Sequence, residues 1–230
     1  LADPTFINKI AIDCFVGGCA QVFAEFQVRK DRFLAEADFV VAGVVTVLLG
    51  NFAAVYFAAP TMIPKAASTS SSSVVQFLSK CPDNAFQQLI KGQKPFSLLE
   101  RMGSIVKPMP QLFLVGLFSA AGGYAYTSAS VAFRNWNTKR QGGTVERGAS
   151  LGVETIGKIS VAVGMYCALS TNARYQVVAG LIEGRVIDKV FKSRMALQSA
   201  ASTFVRTGNT YLGSYWIVQY LSFLGLQKLD

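Results

Sequence analysis

Long apolar runs alternate with short charged stretches along the chain, a pattern typical of proteins whose helices cross a membrane. The run over residues 39–59 has only Thr46 and Asn51 as polar residues. A helix of that length, rising about 1.5 Å per residue, reaches across a hydrocarbon core of roughly 30 Å. Three further runs share this character: residues 110–133, 151–169 and 211–226. The pattern predicts an all-α, polytopic α-helical membrane protein with about four transmembrane helices, forming a single helical membrane domain over residues 1–230.

The first segment, residues 1–34, carries a different pattern. Polar or small residues recur there at every fourth position: Lys9, Asp13, Gly17, Gln21 and Glu25. The rest of the helix then presents a broad apolar face, made by Phe6, Ile10, Phe15, Val22 and Phe26. This spacing predicts a partly buried amphipathic N-terminal helix followed by a charged elbow. A charged late helix is predicted over residues 173–207, and Gly208-Asn209 indicates a turn before the last span.

The connection over residues 61–109 is predicted to be a polar, basic loop. Its serine tract "ASTSSSS" has low complexity. Within the loop, "VVQFLSK" and "AFQQLIK" each predict a short helix.

Small side chains form a stripe along each of the second and third predicted spans. Those assigned to helix packing are Gly116, Ala120, Gly123, Gly157 and Gly164. Helices in lipid associate through close backbone contact, so two such stripes on consecutive spans predict an antiparallel hairpin.

Composition supports the membrane class and removes several kinds of chemistry. Hydrophobic residues make up 51% of the chain and charged residues only 15%, with a net charge of +9. The basic residues lie in short blocks between apolar runs, which fits contact with membrane lipids, anionic lipid at the basic loops, better than nucleic acid. The chain has no His and no CxxC pair, and no glycine pattern matches a phosphate loop. We therefore expect no enzyme activity, no metal and no cofactor.

Ionisable residues inside the predicted helices are the first candidates for a functional site. Glu154 and Lys158 lie one turn apart in the third span, and Lys9 and Asp13 form a similar pair in the first segment. Such residues are costly in a membrane and suggest a polar cavity. The other interpretation, which we favour for both pairs, is that they are self-neutralised or solvated near the interface.

A second candidate is the polar cluster in "ALSTNARYQVVAGLIEG", which interrupts the apolar pattern after the third span. One interpretation is an exit from the membrane, with Thr171 or Asn172 capping the next helix and Arg174 at the headgroup boundary. The other is that Asn172, Arg174 and Gln176 form a polar network at the mouth of the bundle. The full candidate network comprises Lys9, Asp13, Glu154, Lys158, Asn172, Arg174 and Gln176.

Two sequence motifs resemble the RETICULATA-related family of plant and algal plastid membrane proteins. In that family a helix opening with Ala-Asp-Pro-Ser/Thr-Phe begins the shared region, and a Ser-x-Asn-x-Arg-Tyr-Gln run follows a late span. The matching positions here are Ala2, Asp3, Pro4, Thr5 and Phe6, then Ser170, Asn172, Arg174, Tyr175 and Gln176. The resemblance covers roughly residues 1–185.

The resemblance implies a chloroplast membrane location, the inner envelope first and the thylakoid second. It also implies a transporter or transport component for amino acids, basic ones in particular, but it supplies no binding residues. Acidic groups such as Asp13 and Glu154 could then receive a cationic substrate while Arg174 holds its carboxylate. The alternative is a non-catalytic structural or assembly subunit of a larger plastid membrane complex, photosynthetic or protein-import. In either case we expect a homo-oligomer or a subunit of a larger complex.

Overall fold

The computed structural model describes residues 6–34, 37–59, 72–89, 94–142 and 152–226, and their regular secondary structure is helical throughout. Ten elements are used below: α1 (Phe6–Arg29), α2 (Ala37–Ala58), α3 (Ser73–Lys80), α4 (Leu98–Val106), α5 (Met109–Arg140), α6 (Val153–Tyr166), α7 (Asn172–Gln176), α8 (Asp188–Val190), α9 (Met195–Phe223) and a 3-10 turn at Lys30–Arg32. Two π-helical segments, π1 (Cys167–Thr171) and π2 (Val177–Ile187), flank α7.

Helices α5 and α6 pack closely as an antiparallel pair. A methyl group added at Gly116 would lie 3.0 Å from the Cα of Gly164, and one at Gly164 would lie 2.9 Å from the backbone oxygen of Phe113. Ala120 is buried. The other two glycines assigned to helix packing do not join the contact between α5 and α6. Gly123 faces the Thr46 hydroxyl of α2, and Gly157 faces open space.

Helix α1 has its polar stripe inside and most of its large apolar residues outside, although Phe6 and Ile10 pack against the core. Lys9 and Asp13 are buried, whereas Ile7, Phe15 and Phe23 are 77, 72 and 62% exposed. This is the arrangement of a helix whose outer surface meets lipid, where the costly groups turn inward and the apolar ones outward. The amphipathic helix that the sequence predicts is therefore an inward-polar helix rather than one that buries its apolar face.

Three helical stretches among the described residues are long and apolar enough to cross a membrane: Phe6–Phe23, Leu98–Arg140 and Val153–Val190. The predicted count of about four spans is not confirmed. The predicted span at 110–133 lies within the second stretch, and the one at 151–169 overlaps the third from Val153 onward. The remaining stretch is in α1, and the predicted span at 39–59 forms most of α2, which contains the shorter apolar helix Gly43–Ala58.

Most of the predicted last span at 211–226 is the second half of a longer helix, α9, which ends at Phe223. The turn expected at Gly208-Asn209 is wrong, since both residues lie inside α9. Asn209 and Arg206 are buried on the inner face of this helix, so its polar residues serve contacts within the bundle.

The predicted polar loop at 61–109 contains two helices and a buried segment. The "VVQFLSK" stretch forms α3, as predicted, but residues 85–89 of "AFQQLIK" are not helical. The sequence analysis missed α4, which begins with a capping box between Ser97 and Glu100. Residues 67–71 of the serine tract lie outside the described residues, and Ser73 begins α3.

The helix that begins at Val153 does not end at the polar cluster. Thr171 and Asn172 keep helical backbone angles and form no side-chain cap, so the predicted helix cap at these residues is wrong. Instead the π turns, which close over five residues rather than four, rotate the helix face on either side of α7. Within α7, Asn172 and Gln176 share a face because they are four residues apart, and Arg174 lies on another. The π2 segment then shifts the face on which Glu183 lies.

Candidate functional site

Four charged side chains meet in the interior of the bundle, and we call them the charge quartet: Lys9 and Asp13 of α1, Glu183 of π2 and Arg206 of α9. Asp13 and Glu183 are fully buried, and Arg206 is 1% exposed. The quartet carries two positive and two negative charges, so it is neutral as a unit.

The guanidinium of Arg206 is the centre of the quartet. Its Nε and Nη2 each lie 2.6 Å from one carboxylate oxygen of Glu183, in the paired geometry that suits a planar guanidinium. Its Nη1 donates to Asp13 Oδ2. Lys9 Nζ adds a contact of 3.3 Å to Glu183 Oε2. Arg206 thus bridges two carboxylates from different helices.

Neutral donors complete the coordination of both carboxylates. The Tyr175 hydroxyl donates to Asp13 Oδ1 at 3.1 Å, and the Ser202 hydroxyl donates to Glu183 Oε1. All four carboxylate oxygens of the quartet therefore accept at least one hydrogen bond or ion-pair contact. This matters because a charge buried without such partners costs several kcal/mol, by rough estimates for protein interiors.

The structure places Asn172 and Gln176 in a separate cluster that holds α4 and the segment at residues 81–89. Gln176 Oε1 accepts from the backbone N–H of Ala85 at 2.9 Å, and Asn172 Nδ2 donates to Ile105 O at 2.7 Å. Asn84 is fully buried and donates to the backbone oxygens of Ala58 and Gln176, at 3.0 and 3.1 Å. Each of these contacts joins a side-chain amide to the backbone of another part of the chain.

Arg174 lies on another side of α7 and contacts α9. Its Nη1 donates to both the backbone oxygen and Oδ1 of Asn209 at 2.8 Å. The guanidinium carbon lies 5.9 Å from the ring centre of Tyr166 and 6.0 Å from that of Trp216. Gly213 leaves room for it, because a methyl group there would come within 2.7 Å of Nη2.

Glu154 and Lys158 lie away from the quartet. Their side chains pair with each other at 2.6 Å, one helical turn apart, and are 82 and 62% exposed. This geometry fits the self-neutralised interpretation of the pair. Of the seven candidate residues, the structure brings only Lys9 and Asp13 into the charge quartet, and Asn172, Arg174 and Gln176 do not form one network.

The sequence analysis missed Glu183 and Arg206. Each is a single ionisable residue in a largely uncharged stretch, "VVAGLIEG" and "STFVRTGNT". The criterion applied to Glu154, a charge inside an apolar helix, also fits Glu183. No local pattern connects these residues to α1, since Arg206 and Asp13 are 193 positions apart. The described residues contain no group of three or more His, Cys, Asp or Glu side chains suited to a metal ion.

Comparison with known proteins finds one family. The RETICULATA-like family model, described as Protein RETICULATA-related, matches residues 1–181. Similar proteins from Arabidopsis thaliana include Protein RETICULATA-RELATED 4, chloroplastic, at 38% identity over 99% of this chain and 58% of that protein. Protein RETICULATA-RELATED 5, chloroplastic, is 31% identical over 99% of this chain and 31% of that protein. Protein RETICULATA, chloroplastic, is 25% identical, over 99% and 51% respectively.

The chain therefore spans between about a third and three fifths of the length of these relatives. No solved structure matches it.

Proposed function

Because the chain belongs to the RETICULATA-related family of chloroplastic proteins, with apolar helices compatible with membrane association, we propose that it transports amino acids, basic ones first, across a plastid membrane. We assign it to the inner envelope in preference to the thylakoid.

The observation that carries this proposal is the pair of buried carboxylates that already binds a guanidinium. Asp13 and Glu183 hold the Arg206 side chain from two directions, with neutral donors from Tyr175 and Ser202. The side chain of arginine has this same group, and ornithine and lysine present an ammonium that carboxylates also bind. A basic substrate competes with Arg206 for the two carboxylates.

The small number of candidate spanning helices suggests that more than one copy of the chain forms the transporting unit. Three candidate spans among the described residues are few for a transporter that alternates access between two repeated halves. We therefore propose that the transporting unit is a homo-oligomer, with the basic loops against anionic lipid.

Uptake into liposomes tests the transport proposal. Purified protein is reconstituted, and the entry of radiolabelled arginine, ornithine and glutamate is measured against empty liposomes. We expect saturable entry of arginine and ornithine and none of glutamate, since the quartet offers carboxylates to a cation. Entry no faster than into empty liposomes contradicts the proposal.

A second candidate function, an assembly subunit of a larger plastid complex, is favoured by a different observation. The quartet is electrically neutral and all four of its carboxylate oxygens have donors, as expected of a clamp that fixes α1, π2 and α9 together. Co-migration with a large complex on native gels after mild detergent supports this candidate. A homo-oligomer of this chain alone, active in liposomes, excludes it.

A further inference from the structure

The half-buried Arg174 has partners of a different kind from those of the buried cations Lys9 and Arg206. Lys9 and Arg206 pair with carboxylates, whereas the contacts of Arg174 within the described part of the chain are all to neutral groups. Besides Asn209, its Nη2 reaches the hydroxyls of Tyr166 and Thr171, at 3.4 and 3.3 Å. A half-buried guanidinium in a membrane protein is thus left without a neutralising charge.

Three buried polar atoms, on Arg174 and on the adjacent α9 residues Asn209 and Thr210, have no hydrogen-bond partner: Arg174 Nε, Asn209 Nδ2 and Thr210 Oγ1. A fourth such atom among the described residues, Asn172 Oδ1, belongs to the amide that donates to Ile105. Asn209 is only 6% exposed, and its Oδ1 is the atom that accepts from Arg174 Nη1, so the unpaired Nδ2 belongs to the same amide. Unpaired buried polar groups are rare in folded proteins because each one loses its hydrogen bonds to water. Their grouping at one place needs an explanation.

The chemistry of these atoms identifies what would satisfy them. Nε and Nδ2 can only donate hydrogen bonds, and a threonine hydroxyl can donate as well as accept. The missing partner is therefore an acceptor. The uncompensated positive charge beside it favours an anion, and a guanidinium binds oxyanions through two parallel hydrogen bonds.

We propose that Arg174, Asn209 and Thr210 form a binding site for an oxyanion, a carboxylate or a phosphate group. Gly213 leaves space for the Arg174 guanidinium because it has no side chain. The guanidinium also lies near the rings of Tyr166 and Trp216. The site lies one turn of α9 away from Arg206 and uses no member of the charge quartet. It does not rest on the proposed transport function.

Two sources can supply this chemistry: a small soluble anion, or the phosphate of an anionic lipid headgroup. Trp216 reports on either, because its ring lies against the guanidinium and the chain has only one other tryptophan, Trp136. In a Trp136→Phe background the emission of Trp216 is titrated in phosphatidylcholine nanodiscs with sodium acetate and sodium phosphate. Sodium chloride at the same ionic strength is the reference. A second arm compares nanodiscs with and without phosphatidylglycerol.

Saturable emission changes with acetate or phosphate identify a soluble oxyanion, and a change confined to phosphatidylglycerol identifies a lipid headgroup. The variant Asn209→Asp is the sharpest test, because it places a carboxylate where Oδ1 already accepts from Arg174. Asn209→Asp should keep the fold and abolish the change in Trp216 emission. A folded Arg174→Gln variant should lose the same change. Arg185→Gln, which removes a cation bound to Phe86 O, should respond as the parent does. No response in either arm, or an undiminished response in Asn209→Asp, overturns the proposal.

Discussion

Glu183 receives four contacts from three side chains, Lys9, Ser202 and Arg206. A fully buried carboxylate needs this, because its charge has left water and only close donors replace the lost solvation. The buried guanidinium of Arg206 likewise needs close acceptors to replace the water that it has lost. The stability of each group therefore depends on the presence of the other.

We expect Arg206→Met to lower the free energy of unfolding by about 3–5 kcal/mol, because it leaves two buried carboxylates with too few positive charges. The double variant Arg206→Met/Glu183→Gln should lower the free energy of unfolding by less, because the two charges that remain, on Lys9 and Asp13, are equal and opposite. Thermal unfolding in detergent measures both.

Lys158→Met is the matched control for this prediction. It removes a cation from an exposed pair, and such pairs contribute about 0–1 kcal/mol. Equal losses for Arg206→Met and Lys158→Met would show that the buried pair has no special role in stability.

At the scale of the elements, the helix from Val153 to Val190 distributes its polar residues among several partners. Gln176 holds the segment at 81–89 and Asn172 holds the neighbouring α4, Arg174 contacts α9, and Glu183 joins α1 to α9. An uninterrupted α-helix repeats its faces every three or four residues, whereas π1 and π2 shift the faces on both sides of α7. The π segments therefore let one helix hold several neighbours.

Gly180 lies directly against the segment at 81–89. A methyl group there would lie 1.9 Å from Asn84 Oδ1, and Asn84 is fully buried. We expect Gly180→Ala to displace Asn84 and expose the segment to protease, which limited proteolysis followed by mass spectrometry measures. Gly157→Ala meets nothing within 4 Å and should leave the digestion pattern unchanged. If both variants are digested at the parental rate, Asn84 does not anchor this segment.

Helix positions in this chain were largely predictable, because long apolar runs leave few alternatives to a helix in lipid. The orientation of α1 was not. A stripe such as Lys9, Asp13 and Gly17 defines a face, but its spacing is the same whether that face meets water or the bundle interior. The π segments escaped prediction because no residue pattern marks a five-residue turn. Glu183 and Arg206 were missed because their pairing depends on contacts far apart in sequence.

At the scale of the whole molecule, the surface and the interior are exchanged relative to a water-soluble protein. Large apolar side chains such as Phe15, Phe204 and Phe223 are 72, 82 and 88% exposed, while the charge quartet is buried beside apolar core clusters. Contiguous apolar surface of this kind is stable only against lipid or a partner protein.

We therefore expect the protein to remain in the membrane pellet when isolated plastid membranes are washed with alkaline carbonate. That treatment releases proteins held by charge and retains those with helices in the hydrocarbon core. A peripheral plastid protein in the same sample provides the release control. Recovery of this chain in the supernatant with the control would contradict the membrane assignment.

The central claim, that the charge quartet binds the transported cation, is tested most directly by comparing two neutralised carboxylates in the liposome assay. Glu183→Gln removes a buried carboxylate that holds a guanidinium, and Glu154→Gln removes an exposed one paired with Lys158. Both make the same chemical change within the Val153–Val190 stretch.

For equal amounts of folded, reconstituted protein, we expect arginine uptake to fall at least about tenfold for Glu183→Gln, since a charge-assisted contact contributes about 1.5–3 kcal/mol, and to stay at the parental rate for Glu154→Gln. Parental uptake by Glu183→Gln would contradict the account.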